Sequence, residues 1–117
     1  MVHRHVAYIA GMGTFGINNM LITEAGCCGR VGTLVTDIKL EADDRLKAEN
    51  CLYKEKGTCG ICVDKCQFNA LTFSGYDRRK CYGICMENEE YHDDMGLTDI
   101  CGKCLVGLPC SYKNPVK

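Results

Sequence analysis

The chain has 117 residues, a formal net charge of -1 and 46% hydrophobic residues. That length allows one compact domain with an appendage and excludes two full-sized cores. No run approaches the ~18 consecutive apolar residues of a membrane span, none resembles a signal-peptide core, and the near-neutral charge exerts no general pull on nucleic acid or anionic lipid. The expectation is a cytoplasmic chain with neither a nucleic acid nor a membrane as partner.

In chain order, the short apolar run at residues 6–10 suits strand or helix, because so few residues do not reveal a period. If it is a strand, His3 and His5 share one face and suit a metal or a cofactor edge. At a chain terminus they are otherwise simply solvated. Gly11-x-Gly13-x-x-Gly16 matches the dinucleotide fingerprint, with Asp37 about twenty residues later. That motif needs a strand before it and a phosphate-cradling helix after it, whereas residues 17–23 read as a strand. A glycine turn permitting close backbone packing is the simpler expectation. Glu24, Ala25 and Gly26 then turn the chain, and residues 31–38 read as a second strand. The adjacent Cys27 and Cys28 read as small buried side chains in that turn; a redox-sensitive pair and a contact to another chain's cofactor are the alternatives. Residues 41–50 carry helix formers and charges, and read as a solvated helical linker.

From residue 51 onward the cysteines dominate. The chain holds eleven. An odd number without an export signal argues against a disulfide framework and for soft-metal binding by free thiols. The spacing runs Cys51-x7-Cys59-x2-Cys62-x3-Cys66, then Cys81, then Cys101-x2-Cys104-x5-Cys110. Paired knuckles of Cys59, Cys62, Cys101 and Cys104 would make one tetrahedral zinc site but leave four other cysteines idle. In bacterial ferredoxin runs, the cysteine after a three-residue gap ligates the other cluster. By that logic Cys51, Cys59 and Cys62 serve one 4Fe–4S cluster and Cys66 crosses to a second. Mirroring it, Cys81, Cys101 and Cys104 join Cys66, and Cys110 returns to the first cluster. Cys85 is a substitute ligand if that register slips by one group.

Between the two cysteine groups, Asn69 tolerates a left-handed turn into a strand on which Leu71 and Phe73 alternate, and a turn at residues 74–77 follows. Arg78, Arg79 and Lys80 beside Cys81 offset cluster charge or simply face solvent. Residues 87–94 read as a solvated acidic loop, with docking of a basic redox partner as the sharper alternative. The fold class expected is α+β: residues 1–50 a glycine-rich β-containing segment with its linker, and residues 51–117 a ferredoxin-like module with two 4Fe–4S clusters.

Taken together, residues 10–16 (Ala-Gly-Met-Gly-Thr-Phe-Gly), residues 32–37 (Gly-Thr-Leu-Val-Thr-Asp) and the two cysteine groups resemble the epoxyqueuosine reductases and their relatives, the corrinoid-dependent reductive dehalogenases. The resemblance covers nearly the whole chain and corresponds to the C-terminal half of such proteins. It implies two 4Fe–4S clusters feeding electrons to a cobalamin held by a preceding domain, with the ligand partition already reached from spacing. Gln67 stands where the family carries proline, and Cys51 lies further from Cys59 than the family pattern has it. The cobalamin domain and its proton-donating acid fall outside this sequence, so cobalamin is expected only with a missing domain or a partner chain. No residue here reads as a nucleophile or general base. The expected function is electron transfer, with a redox partner protein or a cobalamin-binding domain as partner. The alternatives are the electron-relay part of an epoxyqueuosine reductase-like enzyme and a zinc-stabilised structural module.

Overall fold

A computed structural model describes residues 3–117. Its regular elements are short: helix α1 (His3–Ile9), strands β1 (Gly13–Phe15) and β2 (Leu21–Thr23), helices α2 (Leu52–Lys56) and α3 (Ile61–Asp64), strands β3 (Leu71–Thr72) and β4 (Gly75–Tyr76), helix α4 (Arg78–Tyr91), and a 3-10 turn at Asp93–Met95. This is a small α+β protein whose strands form two separate antiparallel hairpins. No helix among the described residues is long and apolar enough to cross a membrane.

The first hairpin pairs Gly13 with Thr23, Thr14 with Ile22 and Phe15 with Leu21. Gly13 is required there by space, since a Cβ on it would collide with the Ile22 carbonyl. The glycine fingerprint is therefore a strand and a hairpin turn, with no βαβ unit around it. Residues 17–20, expected in a strand, form that turn, with Asn19 in the left-handed region at φ 57°. The run at residues 6–10 resolves as helix α1, where His3 and His5 stand two residues apart on different sides. His3 Nδ1 lies 2.8 Å from Thr33 Oγ1, and the His5 ring packs on Phe15 at 5.2 Å.

Two expectations fail in the next stretch. Residues 31–38 do not form a strand, and residues 41–50 do not form a helix. Leu34, Val35, Ile38 and Leu40 are all well exposed. A strand needs a neighbour to hydrogen-bond, and a charged linker with little apolar surface to bury is too short to hold a helix alone. This extended stretch fits the radius of gyration of 15.9 Å, against roughly 13 Å for a compact chain of about 100 residues.

Among the described residues the core is small and built largely around sulfur. Ile22, Cys27 and Cys51 form one buried cluster, and Cys62, Leu71 and Leu108 form the other. Ile17 packs against both, so the tip of the first hairpin is wedged between them. A buried polar network ties residues 3–50 to the cysteine module. Asn50 Nδ2 donates to the Ile22 carbonyl at 2.8 Å, its amide N–H donates to Thr14 Oγ1 at 2.7 Å, and Asn114 Nδ2 donates to Asn50 Oδ1 at 2.9 Å.

Candidate metal centre

Cys51 is the N-cap of α2 and is buried, placed by the Asn50 network immediately before it. Gly57 closes α2 in the left-handed conformation at φ 68°, sending the chain back through Cys59 into α3. Cys62 lies within α3 and is buried; Cys66 follows its C-terminus, where its sulfur accepts the Leu71 N–H at 3.3 Å. Asn69, at φ 51°, turns the chain into β3 as its side chain predicts. The Ser111 hydroxyl shapes the loop around Cys110, accepting from the Leu108 N–H and donating to the Leu105 carbonyl, both at 2.7 Å.

Helix α4 presents the second group. Asp77 caps it by accepting the Lys80 N–H at 3.0 Å, and Cys81, Ile84, Cys85 and Asn88 form its half-buried face. Residues 87–91, expected in a loop, are the last turns of this helix. Their acidic side chains hid a periodicity that the partly buried positions carry. Asn88 Nδ2 donates to the Ile100 carbonyl at 3.0 Å, and Thr98 Oγ1 donates to the Asn88 carbonyl at 3.3 Å, which draws Cys101 toward Cys81. Lys65 Nζ donates to the carbonyls of Val106 and Gly107, and Asn18 Nδ2 to that of Cys104 at 2.8 Å.

Two cavities result. One is lined by Cys51, Cys59, Cys62 and Cys110, together with apolar groups such as Ile17 and Leu108. The other is lined by Cys66, Cys81, Cys101 and Cys104, with Leu71 and Tyr76 among its walls. Cys59 and Cys62 thus face one cavity and Cys101 and Cys104 the other, so the four do not converge as the paired-knuckle zinc site requires. All eleven cysteines are free, and no three His, Cys, Asp or Glu side chains among the described residues gather closely enough to hold a single metal ion.

The electrostatics follow this arrangement. Burial pushes the Cys62 thiol up to about 12, and the neighbouring sulfurs of Cys110, Cys51 and Cys59 add to the shift. Burial also raises Cys104, with Cys81, Cys101 and Cys66 contributing. Tyr76 is raised to about 12, first by burial and then by its hydrogen bond to Cys81. Clustered thiols that resist ionisation suit a cation, which can supply the charge that lets them deprotonate.

The three remaining cysteines are placed differently. Cys85 sits one turn beyond Cys81 on α4; burial raises its thiol first, with Cys81, Cys101 and Asp99 adding. Cys28 Sγ donates to the Leu105 carbonyl at 3.2 Å. Cys27 is buried, as expected, but its sulfur lies 3.9 Å from that of Cys110, a contact the sequence reading missed. No spacing rule signals it, because the two residues are 83 positions apart.

Fold and site together define a small α+β protein with cysteine-lined cavities between its short elements. Among curated proteins the chain is similar to the epoxyqueuosine reductase of Staphylococcus aureus (strain NCTC 8325 / PS 47), with 33% identity over 94 residues. The match takes in 79% of this chain and 23% of the relative, so it is a distant homology to one part of that protein. No family model matches the chain. No solved structure matches it.

Proposed function

We propose that this chain is an iron–sulfur electron-transfer protein carrying two 4Fe–4S clusters. Cys51, Cys59, Cys62 and Cys110 hold one, and Cys66, Cys81, Cys101 and Cys104 hold the other. The observation that carries the reading is the pair of cavities, each lined by one of these sets of four thiols. The donor set fits the group: four soft sulfurs per cavity, set in largely apolar walls.

When bound, each cluster supplies a one-electron oxidation–reduction step. The protein's own residues hold it and tune it. The Leu71 N–H pointing at Cys66 Sγ stabilises charge on that ligand, and the apolar lining keeps water from the sulfurs. Sulfurs of both sets, Cys62 and Cys110 from one and Cys66 and Cys104 from the other, pack on the same core cluster. That proximity suits a relay between the two clusters. The homology to part of an epoxyqueuosine reductase supports a second, narrower reading, in which this relay serves a cobalamin domain supplied from outside these residues.

Anaerobically reconstituted protein tests the proposal. Dithionite should bleach its visible absorbance, and an oxidised one-electron dye should restore it, at about two electrons per chain. A chain whose absorbance does not cycle carries no electron-transfer function.

A further inference from the structure

We propose that Cys27 is a positioning residue for the first cluster: its S–H donates a hydrogen bond to the ligand sulfur of Cys110 and raises that cluster's reduction potential. The inference rests on the two-cluster reading and deepens it at one of the two sites.

Cys27 Sγ stands 3.9 Å from Cys110 Sγ, within sulfur hydrogen-bond range. The side chain is only 3% exposed, so water does not compete for the contact. Its orientation is fixed from both sides. The Cys27 N–H donates to the Cys110 carbonyl and the Cys28 N–H to the Ser111 carbonyl, each at 2.9 Å. Just before them Gly26, at φ 86°, lies so close to the Ser111 carbonyl that an added Cβ would collide with it. The segment is therefore laid against the Cys110 loop with no space between backbones, and the thiol is delivered to one sulfur. Cys27 does not line the first cavity, whereas Cys110 does. That geometry makes Cys110 the ligand and Cys27 its neighbour.

A thiol is a weak donor, but a ligand sulfur carrying cluster charge is a strong acceptor in an apolar setting. One electron enters the cluster on reduction, no bond breaks, and Cys27 keeps its proton. The added negative charge spreads onto the ligand sulfurs, so the hydrogen bond is stronger in the reduced state and favours it. Cys28, one residue away, donates to a backbone carbonyl instead and has no such lever.

The test is a redox titration of the reconstituted full chain, followed by electron paramagnetic resonance, with iron assayed on each sample. Cys27→Ala should keep its iron and lower one of the two potentials. Its oxidised-to-reduced ratio at fixed potential should rise up to about tenfold, equivalent to ~59 mV for one electron. Cys27→Val, which also lacks a donor but fills the space, should behave alike and serves if the alanine variant fails to fold. Cys27→Ser, which restores a donor, should recover much of the shift, and Cys28→Ala should move neither potential. Unchanged potentials in the alanine and valine variants would overturn the inference while leaving the two-cluster reading intact. So would a serine variant indistinguishable from alanine, or loss of about half the iron, which would make Cys27 a ligand. A wild-type chain that binds no iron would instead remove the reading on which the inference stands.

Discussion

Replacing Cys66 with serine is expected to remove about half of the iron, leaving about four irons per chain in place of about eight. Cys66 sits on the second cavity and not on the first, so the four thiols of the first are left whole. Serine offers a hard, high-pKa oxygen where a cluster would need a soft thiolate. The effect should also reach the fold. Helix α4 has no fully buried residue and is tied down largely through Asn88 and the loop at residues 98–101. Metal binding energy is folding energy where the protein core is small. Amide exchange along α4 should therefore speed up in the variant, while the first hairpin stays protected. Full retention of iron would remove Cys66 from the ligand set.

The largest stability loss outside the cysteines is expected from Asn50→Ala, at about 2–4 kcal/mol by denaturant unfolding of the loaded protein under anaerobic conditions. Asn50 is 4% exposed, and its amide satisfies the Ile22 carbonyl on one side and Asn114 on the other. Alanine removes the side-chain donor to the Ile22 carbonyl and leaves the buried Asn114 amide with Glu24 alone, and it loosens the backbone that positions Cys51. The same region offers a contrast. The exposed Glu24–Lys117 pair, at 2.8 Å, closes the other side of Asn114. Hydrogen bonds from Lys117 and then Asn114 hold the Glu24 carboxyl below its ordinary range, so its contribution is present at neutral pH and lost as pH falls through that lowered value. Exposure to water keeps that contribution small. A loss for Asn50→Ala no greater than for a surface substitution would show that the network is not what joins the hairpin to the cysteine module.

The grouping of the cysteines is partly readable in the sequence because spacing is a local property. The three-residue gap from Cys62 to Cys66 suggested a partition between two groups, and Asn69 announced its left-handed turn. What failed depends on partners distant in sequence. Residues 31–38 are rich in β-branched residues, but that composition shows only that a strand could form, and no strand among the described residues lies beside them. Residues 41–50 have helix formers but no apolar face to bury. Helix α4 was half hidden for the opposite reason: its half-buried face sets two cysteines and an asparagine beside Ile84, so the usual hydrophobic stripe is missing. The glycines at residues 11–16 mimic a phosphate-binding loop, yet Gly13 serves close strand pairing with Ile22. Cys27 was legible as buried, but its contact with Cys110 exists only in three dimensions.

The central claim is tested most directly by purifying the chain without oxygen and assaying iron, acid-labile sulfide and zinc on one sample alongside its absorption spectrum. Two clusters predict a brown protein with about eight irons and eight sulfides per chain. A colourless protein with about one or two zincs and no sulfide would contradict the account and leave a metal-stabilised structural module.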